Sequence, residues 1–399
     1  MKILFLSRWF PYPANNGSKL RVYHLLRGLT AAHDVVLLSF CEPGEEVQTG
    51  MPVLQAMCEA VHVVTWKPFN PNGTAAKLAF FSPKPRSVID SFSPEMAACV
   101  QGLTAKHAFD LVIASQVGTA EYVRFWGNIP AIFEEVELGV FYEKYTKSIT
   151  PTARLRNGLM WWKQKNYLRQ TLAHFQACTV VSEVERGLVE TAVGSHHRIE
   201  VIPNCMHLPD YQLAHVQKKP NTLVYTGSFT YFANHEAMVW FLQHVYPLVK
   251  TAVPDTTLTI TGDHANLPLP AADGVTLTGF VDDIRPVIAN AAISLAPIHT
   301  GGGTRLKILE AMALRTPVVS TTKGAEGLDV VDGVHLLLAD TPAQFAQAII
   351  HLLGDAALRQ RLAENGYRLV AEKYDWTAVT PRFLQLAAQT AAAGEKQLA

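Results

Sequence analysis

Gly301-Gly302-Gly303-Thr304-Arg305-Leu306-Lys307-Ile308-Leu309-Glu310-Ala311-Met312-Ala313 decides how this chain is read. Three glycines lead from a short apolar run, 293–297, into a segment with the apolar spacing of a helix. A helix that starts just after Gly303 would turn its unpaired backbone N–H groups and its positive dipole end toward the loop. The natural occupant of such a place is an anion, phosphate above all. Arg305 and Lys307 add charge-assisted donors, and each bond of that kind is worth about 1.5–3 kcal/mol. Glu310 follows one to two turns later, where a carboxylate can accept hydrogen bonds from a ribose. Together these residues point to a nucleoside-diphosphate site, while an ordinary glycine-rich turn before a helix, with Arg305 and Lys307 in water, explains the loop by itself equally well. The loop has neither the Gly-Lys-Ser/Thr ending of a P-loop nor the spaced glycines of the dinucleotide fingerprint, which sets aside P-loop NTPases and dehydrogenases.

The continuation, Glu310-Ala311-Met312-Ala313-Leu314-Arg315-Thr316-Pro317-Val318-Val319-Ser320, resembles the C-terminal signature of the retaining glycosyltransferases of family 4. The similarity runs through nearly the whole chain. It implies an α/β architecture of the GT-B type: two Rossmann-like domains, parallel sheets facing across a cleft, and a last helix crossing back to the first domain. The family pattern is Glu-x7-Glu followed by Ala-Met-Ala and Pro-Val-Val. Glu310 matches the second glutamate, which in the family holds the donor ribose, but the first falls on Gly302. The family's Arg and Lys after the first strand of the C-terminal domain are absent too, because Ser228 and Asn234 stand there after Tyr225-Thr226-Gly227. Two cations are lost from one loop while Arg305 and Lys307 stand in another. The second pair is therefore expected to do the diphosphate work of the first. The Gly-Gly-Gly-Thr-Arg-Leu-Lys-x-Leu-Glu run resembles that of an exopolysaccharide-associated subgroup of the family.

The resemblance implies transfer of a sugar from a UDP- or GDP-sugar to an acceptor hydroxyl, with retention at the anomeric carbon, in exopolysaccharide or other cell-surface glycan synthesis. It implies no cofactor beyond the nucleotide-sugar donor, no metal, and a glycan or lipid-linked acceptor. Arg305 and Lys307 are the expected catalytic residues. Gly17, Gly227, Ser228, Gly302, Gly303, Thr304, Leu306 and Glu310 complete the expected donor site. The loop Arg8–Lys19 precedes a helix and contains Asn16, Gly17 and Ser18, small residues that suit a loop against a diphosphate and an acceptor. A helix-entry turn capped by Asn or Ser explains the same residues equally well. Asn16, Ser18, Glu134 and Glu135 are the expected contacts to acceptor or sugar. Two alternatives stay open. One is a non-catalytic nucleotide-binding subunit of a polysaccharide assembly complex, suggested by the missing glutamate and by a stretch, Ala114–Gly118, without the histidine many family members carry. The other is a sugar-nucleotide 2-epimerase, which would lack the Glu-Ala-Met-Ala context.

Composition fits this class. A length of 399 residues suggests two or three domains, and a formal net charge of zero removes any global electrostatic case for nucleic acid. The five cysteines (Cys41, Cys58, Cys99, Cys178, Cys205) are odd in number and scattered, which argues against a disulfide framework or a zinc site and for a cytoplasmic place. Fifteen histidines include no His-x-x-x-His pair, and His24, His107 and His299 are expected to be surface or core residues. No apolar run approaches the roughly 18 residues of a membrane span. Segments 77–86 and 154–169 mix aromatics with cations, so peripheral contact with the inner face of a membrane is a further expectation. Strands are expected at 2–7, 34–40, 61–66, 110–114, 131–134, 179–182 and 199–202. A second set is expected at 222–227, 257–262, 275–279, 293–297, 317–321 and 335–338, both sets alternating with helix-length stretches. The expected domains are 1–205 for the acceptor, 206–375 for the nucleotide sugar, and 376–399 as the returning helix.

Overall fold

The computed structural model describes residues 1–194, 198–301 and 305–398. They divide into two compact units, Met1–Pro203 with Thr380–Ala399, and Asn204–Val379. The first unit holds β1 (Lys2–Ser7), β2 (Asp34–Cys41), β3 (Ala60–Thr65), β4 (Leu111–Ser115), β5 (Ala131–Glu134), β6 (Ala177–Val180) and β7 (Arg198–Val201). The second holds β8 (Thr222–Thr226), β9 (Thr257–Thr261), β10 (Val275–Gly279), β11 (Ile293–Ala296), β12 (Val318–Ser320) and β13 (Leu337–Leu338). Each expected strand is present, with ends moved by at most two residues. The largest shift toward the N-terminus is at β6, where Ala177 and Cys178 already pair with Arg198 and Ile199.

Both sheets are parallel. Their orders are β3-β2-β1-β4-β5-β6-β7 and β10-β9-β8-β11-β12-β13. Ile3 to Leu6 and Val35 to Leu38 are at most 1% exposed, as near-continuous aliphatic runs must be when helices cover both faces of a sheet. In each sheet the winding reverses beside the unit's first strand, between β1 and β4 and between β8 and β11. Such switch points leave a crevice at the strand C-termini, because the two outgoing loops turn opposite ways. This is the arrangement of two Rossmann-like domains that the resemblance implied.

The last helix is Trp376–Leu398, within the expected 376–399, and its residues from Thr380 onward belong to the first unit. Gly28, on the helix Gly17–Thr30, makes room for it. A Cβ there would lie 2.4 Å from Thr380 Cγ2. Gly28→Val is expected to force the two helices apart and lower stability by about 1–3 kcal/mol, the usual range for overpacking. Thermal unfolding together with proteolysis of the C-terminal helix checks this, and an unchanged melting point would remove the contact from the account.

Candidate functional site

In the second unit the crevice is lined by the loops that leave β8 and β11. The β8 strand ends into Gly227 and Ser228, and β11 runs on through Ile298 to Gly301. The β8 loop rests on the end of β9 at Gly262, where φ is +110° and a Cβ would lie 2.6 Å from the Gly227 carbonyl oxygen. Only glycine allows that approach. Gly302, Gly303 and Thr304 lie outside the described residues. The helix itself is Leu306–Ala313, so it starts at Leu306 and not just after Gly303. Arg305 flanks it at φ −83°, ψ 67°, and no side chain caps it.

Arg305 is buried, and its guanidinium donates to the carbonyls of Gly301 at 2.7 Å and Lys323 at 3.3 Å. Lys307 Nζ donates to Tyr225 Oη and to Asn234 Oδ1, each at 2.9 Å, and lies 4.1 Å from the centre of the Tyr225 ring. Tyr225 Oη donates to the same Asn234 oxygen at 2.8 Å, while Asn234 Nδ2 donates to the Ser228 carbonyl at 2.7 Å. Ser228 and Asn234, where the resemblance expects cations, are thus linked to the lysine of the 306–313 helix. Burial pulls the Lys307 ammonium down to about 7, with Arg305 adding to the shift and Glu310 opposing it. Glu310 accepts from Tyr211 Oη at 3.3 Å. Its burial pushes the carboxyl up to about 7, against the pull of Tyr211 and Lys307. Ser228 is half-buried, with its Oγ 2.7 Å from Thr230 Oγ1. Leu306 occupies the first turn, where its backbone N–H faces the loop.

The first unit has its own crevice, floored by a polar row at the ends of four strands. Ser7 pairs with Ser39 and with Ser115, and Ser115 with Glu134; all four are fully buried. Arg21 Nε donates to Glu134 Oε1 at 2.6 Å and Ser115 Oγ donates to Oε2 at 2.6 Å. Glu134 therefore corrects the expectation that placed it at an acceptor. Enclosed and held at both oxygens, it anchors the Gly17–Thr30 helix to the sheet. Asn16 is likewise the N-cap of that helix, accepting from the Lys19 N–H at 3.0 Å, and Gly17 is its first residue. The capping reading of the loop is the one the backbone adopts.

Glu135 faces differently. It lies just beyond β5 at φ +59°, and Gln116, just beyond β4, lies at φ +68°. Side chains rarely accept that backbone region, and where they do the strain concentrates at sites of function. Gln116 Nε2 donates to Glu135 Oε2 at 2.6 Å and reaches Ser18 Oγ at 3.5 Å, while Trp9 Nε1 donates to Gln116 Oε1 at 2.8 Å. Burial raises the Glu135 carboxyl to about 7; Arg21 opposes the shift and Glu134 adds to it. Trp9, Arg21, Gln116, Tyr211 and Tyr225 all escaped the sequence reading. Trp9 and Gln116 had a signal, since each follows a strand beside the switch point. Among the described residues, no group of three or more His, Cys, Asp or Glu is placed to hold a metal ion.

Comparison with known proteins gives the same architecture. Residues 16–205 match the family model described as glycosyl transferase 4-like domain, and residues 220–355 match glycosyl transferases group 1. Among curated proteins, a 44.6 kDa protein from the cps region of Klebsiella pneumoniae is 27% identical over 164 residues, 38% of this chain and 42% of that one. The lipopolysaccharide core biosynthesis glycosyltransferase LpsE of Rhizobium meliloti is 35% identical over 117 residues, 29% of this chain and 34% of its own. The chain thus spans less than half the length of these curated relatives. Among solved structures, HepE of Anabaena in complex with UDP and glucose superimposes with a TM-score of 0.65 at 16% identity, covering 98% of this chain and 100% of HepE. WaaG, a glycosyltransferase involved in lipopolysaccharide biosynthesis, gives 0.62 at 14%, covering 97% and 99%. At such identities the likeness establishes the fold, which is GT-B.

The two shifted groups make stability depend on pH in opposite directions. Lys307 is lowered to about 7 from an ordinary 10.5, so its burial penalty is complete below pH 7 and fades as pH rises toward 10.5. Glu310 is raised to about 7 from 4.5, so its penalty is complete above pH 7 and fades as pH falls toward 4.5. Lys307→Met is therefore expected to melt higher than wild type at pH 6 and to lose that advantage by about pH 10. Glu310→Gln should gain most above pH 7 and nothing near pH 4.5. Melting curves across this range, with flat differences in both variants, would contradict the burial account.

Proposed function

We propose that this chain, which joins a glycosyl transferase 4-like domain to a glycosyl transferases group 1 domain, moves a sugar from a nucleoside-diphosphate sugar to an acceptor hydroxyl. The observation that carries this reading is the place of Lys307. Its ammonium lies 2.9 Å from Asn234, the residue standing where the resemblance calls for a lysine. On this reading a cation absent from one loop is supplied by its neighbour, and an anionic ligand is what makes a buried amine worth keeping. HepE solved with UDP and with UDP-glucose makes UDP-sugars the first donors to try. LpsE and the cps-region protein point to a cell-surface glycan as acceptor, and the Gly-Gly-Gly-Thr-Arg-Leu-Lys run to an exopolysaccharide.

In the proposed reaction the bond between the anomeric carbon and the diphosphate oxygen breaks. The acceptor oxygen bonds to the same carbon from the same face, which retains configuration, and its proton passes to the leaving diphosphate. Charge grows on that diphosphate. Arg305, Lys307 and the first backbone N–H groups of the 306–313 helix offset it, so binding energy appears chiefly in the transition state. Glu310 holds the ribose hydroxyls, with Tyr211 setting its carboxylate. In the first unit, Glu135 and Ser18 are the proposed contacts to the acceptor. Gly302 in place of the family's first glutamate favours one other reading, a subunit that binds nucleotide without turning it over.

Titration with UDP and GDP, without added metal, is expected to give micromolar binding of one of them. Arg305→Ala should lower turnover of the matching sugar nucleotide on the order of 10²–10³ fold. Binding with no turnover would select the non-catalytic subunit, and a loss below about threefold would end the role of Arg305. The swapped lysine has its own test. Lys307→Met should lose nucleotide affinity, and adding Asn234→Lys to it should recover roughly tenfold or more, the worth of one charge-assisted bond. No recovery would mean that the two positions do not serve one phosphate.

A further inference from the structure

The helix Pro151–Leu172 leaves an apolar stripe bare. Leu155, Leu159 and Trp162 are all exposed, and their i, i+4, i+7 spacing puts them on one face. By the same helical geometry Arg154 and Lys165 border that face on one side and Arg156 on the other. Toward the C-terminal end the helix is conventional, with Tyr167, Leu168 and Leu172 buried against the unit. Ile149, in the turn just before the helix, is 97% exposed.

A second element joins the first. In the segment 78–81, Leu78 and Phe80 are exposed and Phe81 is 88% exposed. Lys163 stitches it to the helix: its ammonium donates to the Phe80 carbonyl at 2.6 Å and lies 5.4 Å from the centre of the Phe80 ring. Two aromatic edges and a row of leucines thus share one face of the first unit. An apolar face of this kind on a protein exterior marks a place of contact.

Charge says with what. Segments 74–86 and 139–172 carry ten Lys or Arg and a single acid, Glu143, in a chain whose formal net charge is zero. Some of these cations are used internally, as when Arg86 donates to the carbonyls of Ala76 and Pro71, but Lys77, Arg154, Arg156 and Arg169 are exposed. A second copy of the same face would be repelled. A surface that is apolar beneath and anionic above complements it, and a bilayer with anionic headgroups is such a surface. Among the described residues no helix is long and apolar enough to cross a membrane, so the contact is peripheral. We infer that the face built from the 151–172 helix and the 78–81 segment docks this protein on an anionic lipid surface, with Phe81 and Trp162 entering the headgroup boundary.

The test is co-sedimentation of the full chain with vesicles of phosphatidylcholine alone and of phosphatidylcholine mixed with phosphatidylglycerol. Binding is expected only to the mixed vesicles and should fall steeply with salt. Arg154→Ser and Arg156→Ser should each weaken it by roughly fivefold. Phe81→Ser combined with Trp162→Ser should weaken it by about tenfold or more with the melting temperature unchanged, since both side chains face solvent. Equal binding to both vesicles, no binding to either, or full binding by the double variant would overturn the inference. So would a concentration-dependent dimer that Phe81→Ser abolishes, since that would give the face to a second copy.

Discussion

A parallel sheet wound outward in both directions from one strand has to part its loops somewhere, and this single constraint organises both units. Between β1 and β4, and again between β8 and β11, adjacent strands send their chains to opposite sides, and no helix can close the gap. Among the described residues, several side chains of both crevices stand on loops that leave the strands at or next to those gaps. Trp9 follows β1, Gln116 follows β4 and Glu135 follows β5. Gly227 and Ser228 follow β8, and the loop that delivers Arg305 and Lys307 follows β11. The helices and hydrophobic cores hold those loop ends in place.

The two crevices are charged in different ways. In the first, Arg21 and Glu134 are both fully enclosed and neutralise each other through a 2.6 Å bond, with Ser115 taking the second carboxylate oxygen. A pair so complete fixes geometry and has little capacity left for a ligand; breaking one partner would strand the other in the interior. In the second, Lys307 and Glu310 are drawn toward neutrality from opposite directions, each ending near 7, because burial outweighs what their neighbours return. A diphosphate beside the lysine and hydroxyls beside the glutamate would supply the missing stabilisation. The contrast separates an anchor from the proposed binding site; the first cluster stands at strand ends and the second on the 306–313 helix.

Charge is also sorted at a larger scale. The chain as a whole is neutral, yet one pair of segments in the first unit holds ten cations against one acid. Those segments also carry the exposed Phe81 and Trp162. Average composition conceals such sorting, and the tertiary contact between Lys163 and Phe80 is what makes two separate basic stretches into a single face.

Much of this was legible in the chain. Runs of aliphatic residues with period-two or continuous patterning marked the strands, because sheets covered on both faces must exclude polar side chains. The glycine-rich entry to the 306–313 helix, with two cations beside it, is the sequence feature that suggested a phosphate site there, the place proposed above for the donor diphosphate. The match of Glu310 to the family's second glutamate, and of Ser228 and Asn234 to its cation positions, came from the resemblance rather than from spacing. Tertiary structure decided the rest. That Glu134 is enclosed while its neighbour Glu135 is presented could not be told from two adjacent glutamates, since the choice depends on a left-handed backbone at Glu135 and on Arg21 arriving from another helix. Asn16 turned out to serve its own helix, and a polar residue at a loop end does not announce whether it caps or binds. Lys307 reaches Asn234 across 73 residues of sequence, a distance at which no local pattern has any hold. Sequence by itself determined which residues can be buried and where the chain can turn, since both follow from the chemistry of single side chains. Which buried polar groups meet, and which of them stay open to a ligand, follows from packing, and only the folded chain brings those partners together.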